Sequence, residues 1–414
     1  MVHLYLLLMA PLSLMAAPIL LLFPRGRRRF GERYGGWGGL GGEFVWFHGA
    51  SVGEVRGLLP IMRRCRAEAP GVKILCTAAS PTGLDVAAEV ADVVRLLPLD
   101  HPWWIRRAIR SLNIRAFVFG ETELWPALIL ELHRRGIPQV LVNGRVSAYS
   151  IRWYRALRPL LRTLLERLEV IFAGSEGDAE RFRQIGAPAD RVRVAGNAKY
   201  DLAPSVPPER IEAIRREYFV RPLPVLVLGS LRPGEEEVWF RSLSGELRAR
   251  MNVVIAPRHE ERFDYFAARL REFDIPFQRR SAGAPAAQVL LLDTYGELER
   301  VYAIARAAFI GGTIVDWGGH NPVEAAAYGV AIAAGEYTGN IEDVVEALTG
   351  ADAFIPLRDS GAARALAERV AGEDRALVAM GERARAAVAP FIGASERIMQ
   401  AVGPLMSRAQ GVVR

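Results

Sequence analysis

Short apolar runs alternate along the chain with longer stretches in which apolar residues recur at helical spacing. Glycine, proline or polar residues bound each short run, which is the pattern of a buried strand. In the first half of the chain these runs are residues 44–47, 72–76, 93–96, 116–119, 139–142, 170–172 and 192–195. In the second half they are residues 225–228, 253–256, 289–292, 307–310 and 330–333. Strands that alternate with helices predict an α/β fold built on mostly parallel sheets.

The alternation is interrupted once, at the proline-rich segment 199–208. We therefore predict two Rossmann-like domains, residues 24–203 and 221–414, joined by a linker over residues 204–220. Ligands of such folds bind at the carboxyl ends of the strands, so we expect a ligand cleft between the two domains. The alanine- and arginine-rich stretch 362–389 predicts a helix.

Residues 4–23 carry no charge and are almost wholly apolar, and about 20 such residues suffice to cross a bilayer. The segment that follows is strongly basic, and five arginines less Glu32 contribute +4 of the formal net charge of +7. Those arginines are Arg25, Arg27, Arg28, Arg29 and Arg33. We predict a membrane anchor over residues 1–23, and the positive-inside rule places the rest of the chain in the cytoplasm.

Two other interpretations of the apolar segment were weighed. A cleaved signal peptide is disfavoured, because the basic residues follow the apolar stretch rather than precede it. Pro11 and Pro18 weaken the case for a straight spanning helix, so a hairpin or a helix lying in one leaflet stays open. Each alternative that keeps the segment places the protein at a membrane surface.

The composition excludes several classes of protein. The 414 residues, 51% of them hydrophobic, are enough for two domains of ordinary size. Cys65 and Cys76 form neither a disulfide framework nor a closely spaced thiolate pair for a metal. Despite the positive charge, the chain has no zinc-finger spacing, no RNA-binding aromatic motif and no long basic helix, so we expect no nucleic-acid partner.

A glycine-rich loop after the run 307–310 is a candidate phosphate site. Gly311, Gly312, Gly318 and Gly319 lie in this loop, and His320 follows them. Asn321, Pro322 and Glu324 fall where the N-cap, N1 and N3 positions of the next helix are expected. The start of a helix offers backbone N–H groups to an anion. Glu324 alternatively serves as a capping-box carboxylate, and the residues alone leave both roles open.

The turn after the first strand carries a carboxylate that is a candidate general base. Residues 46–55 include His48, Ser51, Gly53 and Glu54. A general base must titrate nearer neutral pH than the ordinary glutamate pKa of ~4.3. Alternatively, Glu54 is a first-turn glutamate favoured by the helix dipole. His48 by itself is more typical of a structural histidine at a strand end.

Two further loops of the first half carry charged residues. The segment 119–126 places Glu121 and Glu123 two residues apart, and we expect only Glu123 to face the site. Without histidines nearby, this pair is not a convincing metal site. Lys199 follows the strand 192–195, and it is one of only two lysines among 53 Lys and Arg residues. A compact ammonium at that position suits neutralisation of a leaving phosphate.

In the second half, three more strand-end loops carry polar side chains. Ser230 follows one strand, Pro257, Arg258 and His259 follow the next, and Glu297 lies beyond a third. Arg258 and His259 are candidates for contact with a phosphate or a base. Four consecutive strand-end loops with such residues exceed what helix capping requires.

These motifs together resemble those of 3-deoxy-D-manno-octulosonic acid (Kdo) transferases, which move Kdo from CMP-Kdo to a lipid A precursor. The resemblance spans nearly the whole chain. It rests on HGASVGE (48–54), ASPTG (79–83), ETELWP (121–126), N-x-R-x-S (143–147), GN-x-K-x-D (196–201), PRH-x-ERF (257–263), D-T-x-GEL (293–298) and GGHNP-x-EAAA (318–327).

The resemblance implies a GT-B fold, inversion at the anomeric carbon and neither metal nor cofactor. It implies that Glu54 deprotonates the acceptor hydroxyl and that Glu123 and Lys199 stabilise the transition state. The residues implied to hold the CMP moiety are Pro257, Arg258, Tyr295, Gly296, Glu297, Asn321, Pro322, Val323 and Glu324. Possible further contacts are Ser51, Gly53, Ser230, His259, Gly319 and His320.

The implied partners are CMP-Kdo, a lipid A precursor and the cytoplasmic face of the inner membrane. The chain departs from the family pattern at Arg232, where a histidine is usual, so a donor contact there is expected to differ. Two alternatives remain open. One is a GT-B transferase with another activated sugar or lipid acceptor, and the other is a membrane-tethered binding protein without turnover.

Overall fold

A computed structural model describes residues 2–147, 150–201 and 206–407, which form two compact units. Unit 1 comprises Met1–Asp201 and Ile392–Arg414, and unit 2 comprises Leu202–Phe391. Each unit contains a seven-stranded sheet in which every pair of neighbouring strands is parallel. The α/β fold class with two parallel sheets is thereby confirmed.

The sheet of unit 1 has the strand order β3-β2-β1-β4-β5-β6-β7. Its strands are β1 (Glu43–His48), β2 (Lys73–Ala78), β3 (Val93–Leu96), β4 (Asn113–Gly120), β5 (Gln139–Gly144), β6 (Val170–Ala173) and β7 (Val192–Val194). Its helices before the crossover to unit 2 are α1 (Val2–Leu22), α2 (Pro24–Arg27), α3 (Phe30–Arg33), α4 (Val52–Glu68), α5 (Pro81–Ala87), α6 (Pro102–Ile109), α7 (Pro126–Arg134), α8 (Ile151–Ala156), α9 (Arg158–Leu165) and α10 (Glu176–Gln184).

Strand β1 is apolar without interruption because both faces of the sheet are covered. Phe44 and Trp46 point into a core on one face, and Val45 and Phe47 point into a core on the other. A parallel sheet buried on both sides therefore reads in the sequence as a continuous apolar run rather than as an alternation. The carboxyl end of β1 is consequently held rigidly, and the turn at residues 49–51 follows from it.

Helix α1 includes the apolar segment Leu4–Leu22, whose mean hydropathy reaches 2.2. In the part of the chain that the structure describes, it is the one helix long and apolar enough to cross a membrane. Two of its polar side chains bond to unit 1. The Tyr5 hydroxyl donates to the Asp100 carboxylate at 2.9 Å, and the Ser13 hydroxyl accepts a hydrogen bond from the Trp104 indole at 3.1 Å.

The sheet of unit 2 has the order β10-β11-β9-β8-β12-β13-β14. Its strands are β8 (Val225–Leu231), β9 (Asn252–Pro257), β10 (Gln278–Arg279), β11 (Val289–Leu291), β12 (Ala307–Ile310), β13 (Ala331–Ala334) and β14 (Phe354–Pro356). Its helices are α11 (Ile211–Tyr218), α12 (Glu236–Ser242), α13 (Gly245–Arg250), α14 (Phe263–Glu272), α15 (Leu298–Tyr302), α16 (Val323–Ala326), α17 (Glu342–Gly350), α18 (Ser360–Ala371) and α19 (Arg375–Val388).

All twelve predicted strands are present, with ends that differ by at most four residues. The edge strands β10 and β14 were not predicted, because β10 is the polar pair Gln278–Arg279 and β14 has only two apolar residues before Pro356. The single helix predicted over residues 362–389 is two helices. The break occurs because Asp374 accepts a hydrogen bond from the Ala376 N–H and starts α19 as its N-cap.

The last helix, α20 (Ala394–Ser407), belongs to unit 1 rather than to the predicted second domain 221–414. Its buried residues Ile398, Met399 and Val402 join a core of the first sheet. The Asp201 carboxylate accepts hydrogen bonds from the backbone N–H groups of Gly393 and Ala394, at 2.6 and 3.0 Å, which holds the start of this helix. An amphipathic sequence predicts a helix but does not specify which sheet covers its apolar face.

The predicted linker 204–220 also differs from the observed structure. Helix α11 lies within this range and forms part of unit 2. Its residues Ile214 and Tyr218 are buried. Residues 202–205, where the linker was predicted to begin, lie outside the described part of the chain.

Candidate active site

Glu54 lies in the first turn of α4, directly after the carboxyl end of β1. The Ser51 hydroxyl accepts a hydrogen bond from the Glu54 N–H at 3.2 Å, and the Glu54 carboxylate accepts from the N–H groups of Ala50 and Ser51 at 2.8 and 3.3 Å. Ser51 and Glu54 therefore form a capping box at the start of α4. A carboxylate has about four lone-pair sites, so this capping leaves room for a proton from a substrate.

Glycine is required in the turn that presents Glu54. A Cβ atom added at Gly49 would lie 2.9 Å from the Val55 nitrogen and 3.1 Å from the Glu54 Cβ. Any larger residue would therefore displace the start of α4. Ser51 and Gly53 lie on the exposed side of the same turn.

Glu54 belongs to a group of three carboxylates in unit 1. Burial, with a further contribution from the Glu54 charge, raises the pKa of Glu123 to about 7. Burial also raises the pKa of Glu121, where Lys199 opposes the shift and Glu54 adds to it. Both residues of the Glu121 and Glu123 pair therefore interact with Glu54, whereas we expected only Glu123 to do so. The left-handed backbone of Glu121, with φ 55°, redirects the chain between them.

His48 lies beneath this group and was expected to be structural. Its Nδ1 lies 3.1 Å from the Thr77 carbonyl oxygen and 3.0 Å from the Thr77 hydroxyl. Its Nε2 lies 3.9 Å from the Glu123 carboxylate and has no hydrogen-bond partner among the described residues. Complete burial lowers the pKa of His48 to about 4, so the ring is neutral beside Glu123.

Lys199 lies on a short 3₁₀ turn whose position depends on a buried asparagine. The Asn143 side chain accepts a hydrogen bond from the Ala198 N–H at 2.8 Å and donates to the Gly57 carbonyl at 3.2 Å. Asn143 thus joins helix α4, which carries Glu54, to the turn that carries Lys199. Its backbone is left-handed, with φ 54°, a conformation that asparagine tolerates better than most residues. Asn143 was part of a quoted motif but was not assigned a role.

The raised pKa of Glu123 predicts a pH-dependent stability. Between the ordinary pKa of 4.5 and about 7, the folded protein binds more protons than the unfolded chain. The free energy of unfolding should therefore fall as the pH rises through this window, by on the order of 2 kcal/mol. Glu123→Gln, which cannot ionise, should remove this contribution, so the fall measured by urea unfolding between pH 5 and pH 8 should be smaller than in the wild type.

Glu176→Gln provides the matched control. Glu176 is an exposed glutamate in the first turn of α10 in the same unit. Its variant should keep the pH dependence of the wild type. An identical pH dependence for Glu123→Gln and the wild type would contradict the assignment to Glu123.

The predicted donor-binding residues all lie in unit 2, at or after the carboxyl ends of β8, β9, β11 and β12. Ser230 has a left-handed backbone within β8, with φ 56°. Pro257 ends β9, and Arg258 and His259 follow it. Arg258 forms no hydrogen bond through its side chain and no ion pair within the described ranges. Burial and the Arg258 charge lower the pKa of His320 to about 3. Burial raises the pKa of Glu324, and the Arg258 charge partly opposes that shift.

Three backbone N–H groups of the glycine-rich loop bond to a buried carboxylate. The buried carboxylate of Glu235 accepts hydrogen bonds from the N–H groups of Gly312, Thr313 and Ile314, at 2.9 to 3.0 Å, and from that of Arg232 at 2.8 Å. An internal carboxylate thus binds three N–H groups of the loop, and the phosphate site at the start of the next helix stays a prediction. Sequence alone did not reveal this carboxylate, because Glu235 lies more than 70 residues earlier in the chain.

The helix after this loop also starts differently from the prediction. It begins at Val323, with Pro322 at the N-cap, and it is four residues long. The Asn321 side chain accepts a hydrogen bond from the Val323 N–H at 2.9 Å and donates to the Glu324 carboxylate at 3.0 Å. Glu324 therefore bonds to the Asn321 side chain rather than forming a capping box. Gly319 has φ 85°, and a Cβ there would lie 2.8 Å from Ile341.

In the turn at residues 295–297, Tyr295 is exposed, whereas Glu297 forms hydrogen bonds within the protein. Tyr295 is 67% exposed, and Gly296 has φ 76°. The Glu297 carboxylate accepts hydrogen bonds from the Thr294 hydroxyl, the Tyr218 hydroxyl and the Arg280 guanidinium, at 2.6, 2.6 and 2.9 Å. Burial raises the pKa of Glu297, but these three hydrogen bonds lower it by more, so the pKa lies below its ordinary value. Contact with the predicted sugar-nucleotide donor at this turn is thus left mainly to Tyr295 and Gly296.

No group of three or more histidine, cysteine, aspartate or glutamate side chains is arranged to hold a metal ion within the described residues. The two cysteines of the chain are buried thiols. Catalysis without a metal or cofactor remains a prediction.

Each unit thus presents charged side chains at the carboxyl edge of a parallel sheet, and the two units together define a GT-B fold. Solved structures share this fold. UDP-GlcNAc 2-epimerase from Neisseria meningitidis aligns with a TM-score of 0.59, over 87% of this chain and 100% of that chain, at 14% identity. A glycosyltransferase from Rickettsia africae aligns with a TM-score of 0.58, over 89% and 100%, at 12% identity. These identities show the fold alone.

Sequence comparison identifies the family. A family model described as 3-deoxy-D-manno-octulosonic-acid transferase (kdotransferase) matches residues 27–202. The 3-deoxy-D-manno-octulosonic acid transferase of Haemophilus influenzae is 34% identical over 81% of this chain and 83% of its own length. That of Bordetella pertussis is 32% identical over 84% of both chains. The chain belongs to the Kdo transferase family, and it is a glycosyltransferase.

Proposed function

We propose that this protein transfers Kdo from CMP-Kdo to a lipid A precursor of the lipid IVA type, with inversion and without a metal or cofactor. The observation that carries the proposal is the group of Glu54, Glu121, Glu123 and Lys199 in unit 1. Acidic and cationic side chains of this kind supply a base and charge stabilisation, which are what an already activated sugar requires.

In the proposed reaction, Glu54 removes the proton from the acceptor hydroxyl. The hydroxyl oxygen attacks the anomeric carbon of Kdo from the face opposite the phosphate, and the bond between that carbon and the phosphate oxygen breaks. CMP leaves with the bonding electrons, and the configuration inverts. Glu123 and Lys199 stabilise the charges that develop in the transition state. The residues proposed to bind CMP all lie in unit 2: Pro257, Arg258, Tyr295, Gly296, Glu297, Asn321, Pro322, Val323 and Glu324.

The direct test is a reaction of the purified full-length protein with CMP-Kdo and a lipid IVA-type acceptor in detergent. We expect CMP release together with a lipid whose mass increases by whole Kdo units. UDP-sugars offered in place of CMP-Kdo should give no product. Turnover of a UDP-sugar with no turnover of CMP-Kdo would overturn the proposed donor.

We propose further that α1 lies along the cytoplasmic leaflet rather than across the bilayer. The hydrogen bonds of Tyr5 and Ser13 to residues of unit 1 support this arrangement. Leu7, Leu14 and Met15, all more than 60% exposed, are available for contact with lipid acyl chains. The basic residues after the helix would lie at the anionic headgroups.

Labelling can test this topology. A cysteine added before Met1 should react with a membrane-impermeant maleimide in inverted inner-membrane vesicles and not in intact spheroplasts. Glu176→Cys supplies a control on the main body of the protein, and the native Cys65 and Cys76 are buried. Labelling of the added cysteine from the outer face of spheroplasts would show that α1 crosses the bilayer.

A further inference from the structure

Four basic side chains lie together at the carboxyl edge of the unit 2 sheet: those of Arg232, Arg258, His259 and His320. The Arg232 Nε donates a hydrogen bond to the His320 Nε2 at 3.2 Å. The Arg232 guanidinium carbon lies 4.2 Å from the centroid of the Trp317 ring. Because arginine can only donate, the His320 Nε2 must accept, so the His320 ring is neutral. Burial and the charges of Arg258 and Arg232 lower the pKa of His320 to about 3, which agrees.

The positive charges of this group are poorly compensated by acidic side chains. Burial and the neighbouring Arg258 lower the pKa of Arg232, although Glu235 partly opposes this. Burial and both arginines lower the pKa of His259. In the part of the chain that the structure describes, neither Arg232 nor Arg258 forms an ion pair. Glu235 uses its oxygens for four backbone N–H groups, and Glu324 accepts from Asn321.

This arrangement is that of an anion site. Two like charges held near one another repel, and an anion bound between them would relieve the repulsion. The Nε of Arg232 is engaged by His320, so its two terminal nitrogens are available for a bidentate contact with an acidic group. The stacking on Trp317, which is itself 59% exposed, fixes the plane of the guanidinium before any ligand arrives.

We propose that Arg232 and Arg258 together bind an acidic group of the sugar-nucleotide donor, with neutral His320 as the acceptor that orients Arg232. The acidic group is the phosphate of CMP or the carboxylate of the ulosonic acid sugar. This inference rests on the proposed function and adds Arg232 to the residues predicted to hold the donor. It also gives a chemical reason for an arginine at this position: a guanidinium keeps its charge while it bonds to a neutral histidine.

Calorimetric titration of the full-length protein in detergent with CMP, with cytidine and with inorganic phosphate tests the proposal. Arg232→Met should weaken CMP binding by about 10- to 100-fold and leave cytidine binding unchanged. Arg258→Met should do the same, and Arg232→Lys should recover part of the affinity. If the carboxylate is the partner of Arg232, CMP binding stays unchanged in Arg232→Met and the KM for CMP-Kdo rises by a similar factor.

Arg271→Met is the matched control. Arg271 lies on α14 of the same unit, where its guanidinium carbon lies 5.6 Å from the Phe277 ring. The proposal is overturned if CMP affinity and the KM for CMP-Kdo in Arg232→Met are both within twofold of those in Arg271→Met. If Arg232→Met does not fold, Arg232→Gln, which also removes the charge, decides by the same criterion.

The outcomes separate this inference from the proposed function. If the wild type transfers Kdo and Arg232→Met matches the control, the anion site is wrong and the proposed function stands. If the wild type does not transfer Kdo but binds inorganic phosphate, and Arg232→Met weakens that binding, the anion site stands and the proposed function is wrong.

Discussion

Glu54→Gln is expected to lower kcat for Kdo transfer by about 100- to 10,000-fold, the usual contribution of a general base. Glutamine matches glutamate in size, and its carbonyl oxygen still accepts the hydrogen bond from the Ala50 N–H that the carboxylate accepts at 2.8 Å. The side chain can no longer take a proton from the acceptor hydroxyl. The measurement is initial-rate CMP release, with the mass of the lipid product as a second readout.

Glu68→Gln is the matched control, because Glu68 ends the same helix α4 and forms an exposed i,i+4 ion pair with Arg64. Its kcat should stay within twofold of the wild type. Thermal unfolding should show both variants folded. A kcat for Glu54→Gln above one tenth of the wild-type value would mean that another group removes the proton.

Glu235→Gln is expected to lower the free energy of unfolding by about 3 kcal/mol or more. Each oxygen of the Glu235 carboxylate accepts two backbone N–H groups: Thr313 and Ile314 on one, Gly312 and Arg232 on the other. The glutamine side chain places an N–H₂ group where one carboxylate oxygen of Glu235 was. The two backbone N–H groups bonded to that oxygen therefore lose their acceptor. A buried donor left without a partner costs about 1–3 kcal/mol.

Besides its effect on overall stability, Glu235→Gln should loosen the glycine-rich loop locally. Hydrogen exchange is expected to accelerate in Glu235→Gln at one pair of amides, either Thr313 and Ile314 or Gly312 and Arg232, because the pair that faces the new amide nitrogen loses its acceptor. Glu237→Gln is the control, since Glu237 lies two residues away, is exposed and pairs with Arg241. Its effect should be small, because solvent screens an exposed ion pair. Equal unfolding midpoints in urea for Glu235→Gln and Glu237→Gln would refute the role of Glu235.

The fold could be predicted because its determinants are local. Most strands contain a short apolar run bounded by polar or turn residues, so this pattern located twelve of the fourteen strands in the described residues. The edge strands β10 and β14 were not predicted, since β10 is the polar pair Gln278–Arg279 and β14 has only two apolar residues before Pro356. The packing of α20 in unit 1 was also not predicted, because the Asp201 carboxylate that accepts hydrogen bonds at the start of this helix lies almost 200 residues earlier in the chain.

The candidate site could be predicted only in part. Strand ends and glycine-punctuated turns located Glu54, Lys199 and Arg258. The same reasoning excluded Glu121 from the site, because a regular turn was assumed where the backbone is left-handed. It gave Asn143 no role and did not foresee that Arg232 bonds to His320, because these side chains act through Gly57, Ala198 and His320, which are distant in the sequence.

The sequence by itself determined the α/β class, the apolar N-terminal segment and the family, since each depends on patterns along the chain. The tertiary structure decided which groups occupy the glycine-rich loop and which charges act on one another. A phosphate and the Glu235 carboxylate are equivalent acceptors for backbone N–H groups, so only the fold could show that Glu235 is the one there. The buried Glu235 carboxylate therefore holds the glycine-rich loop in place. The positive charges of Arg232 and Arg258, which form no ion pair within the described residues, lie beside the loop.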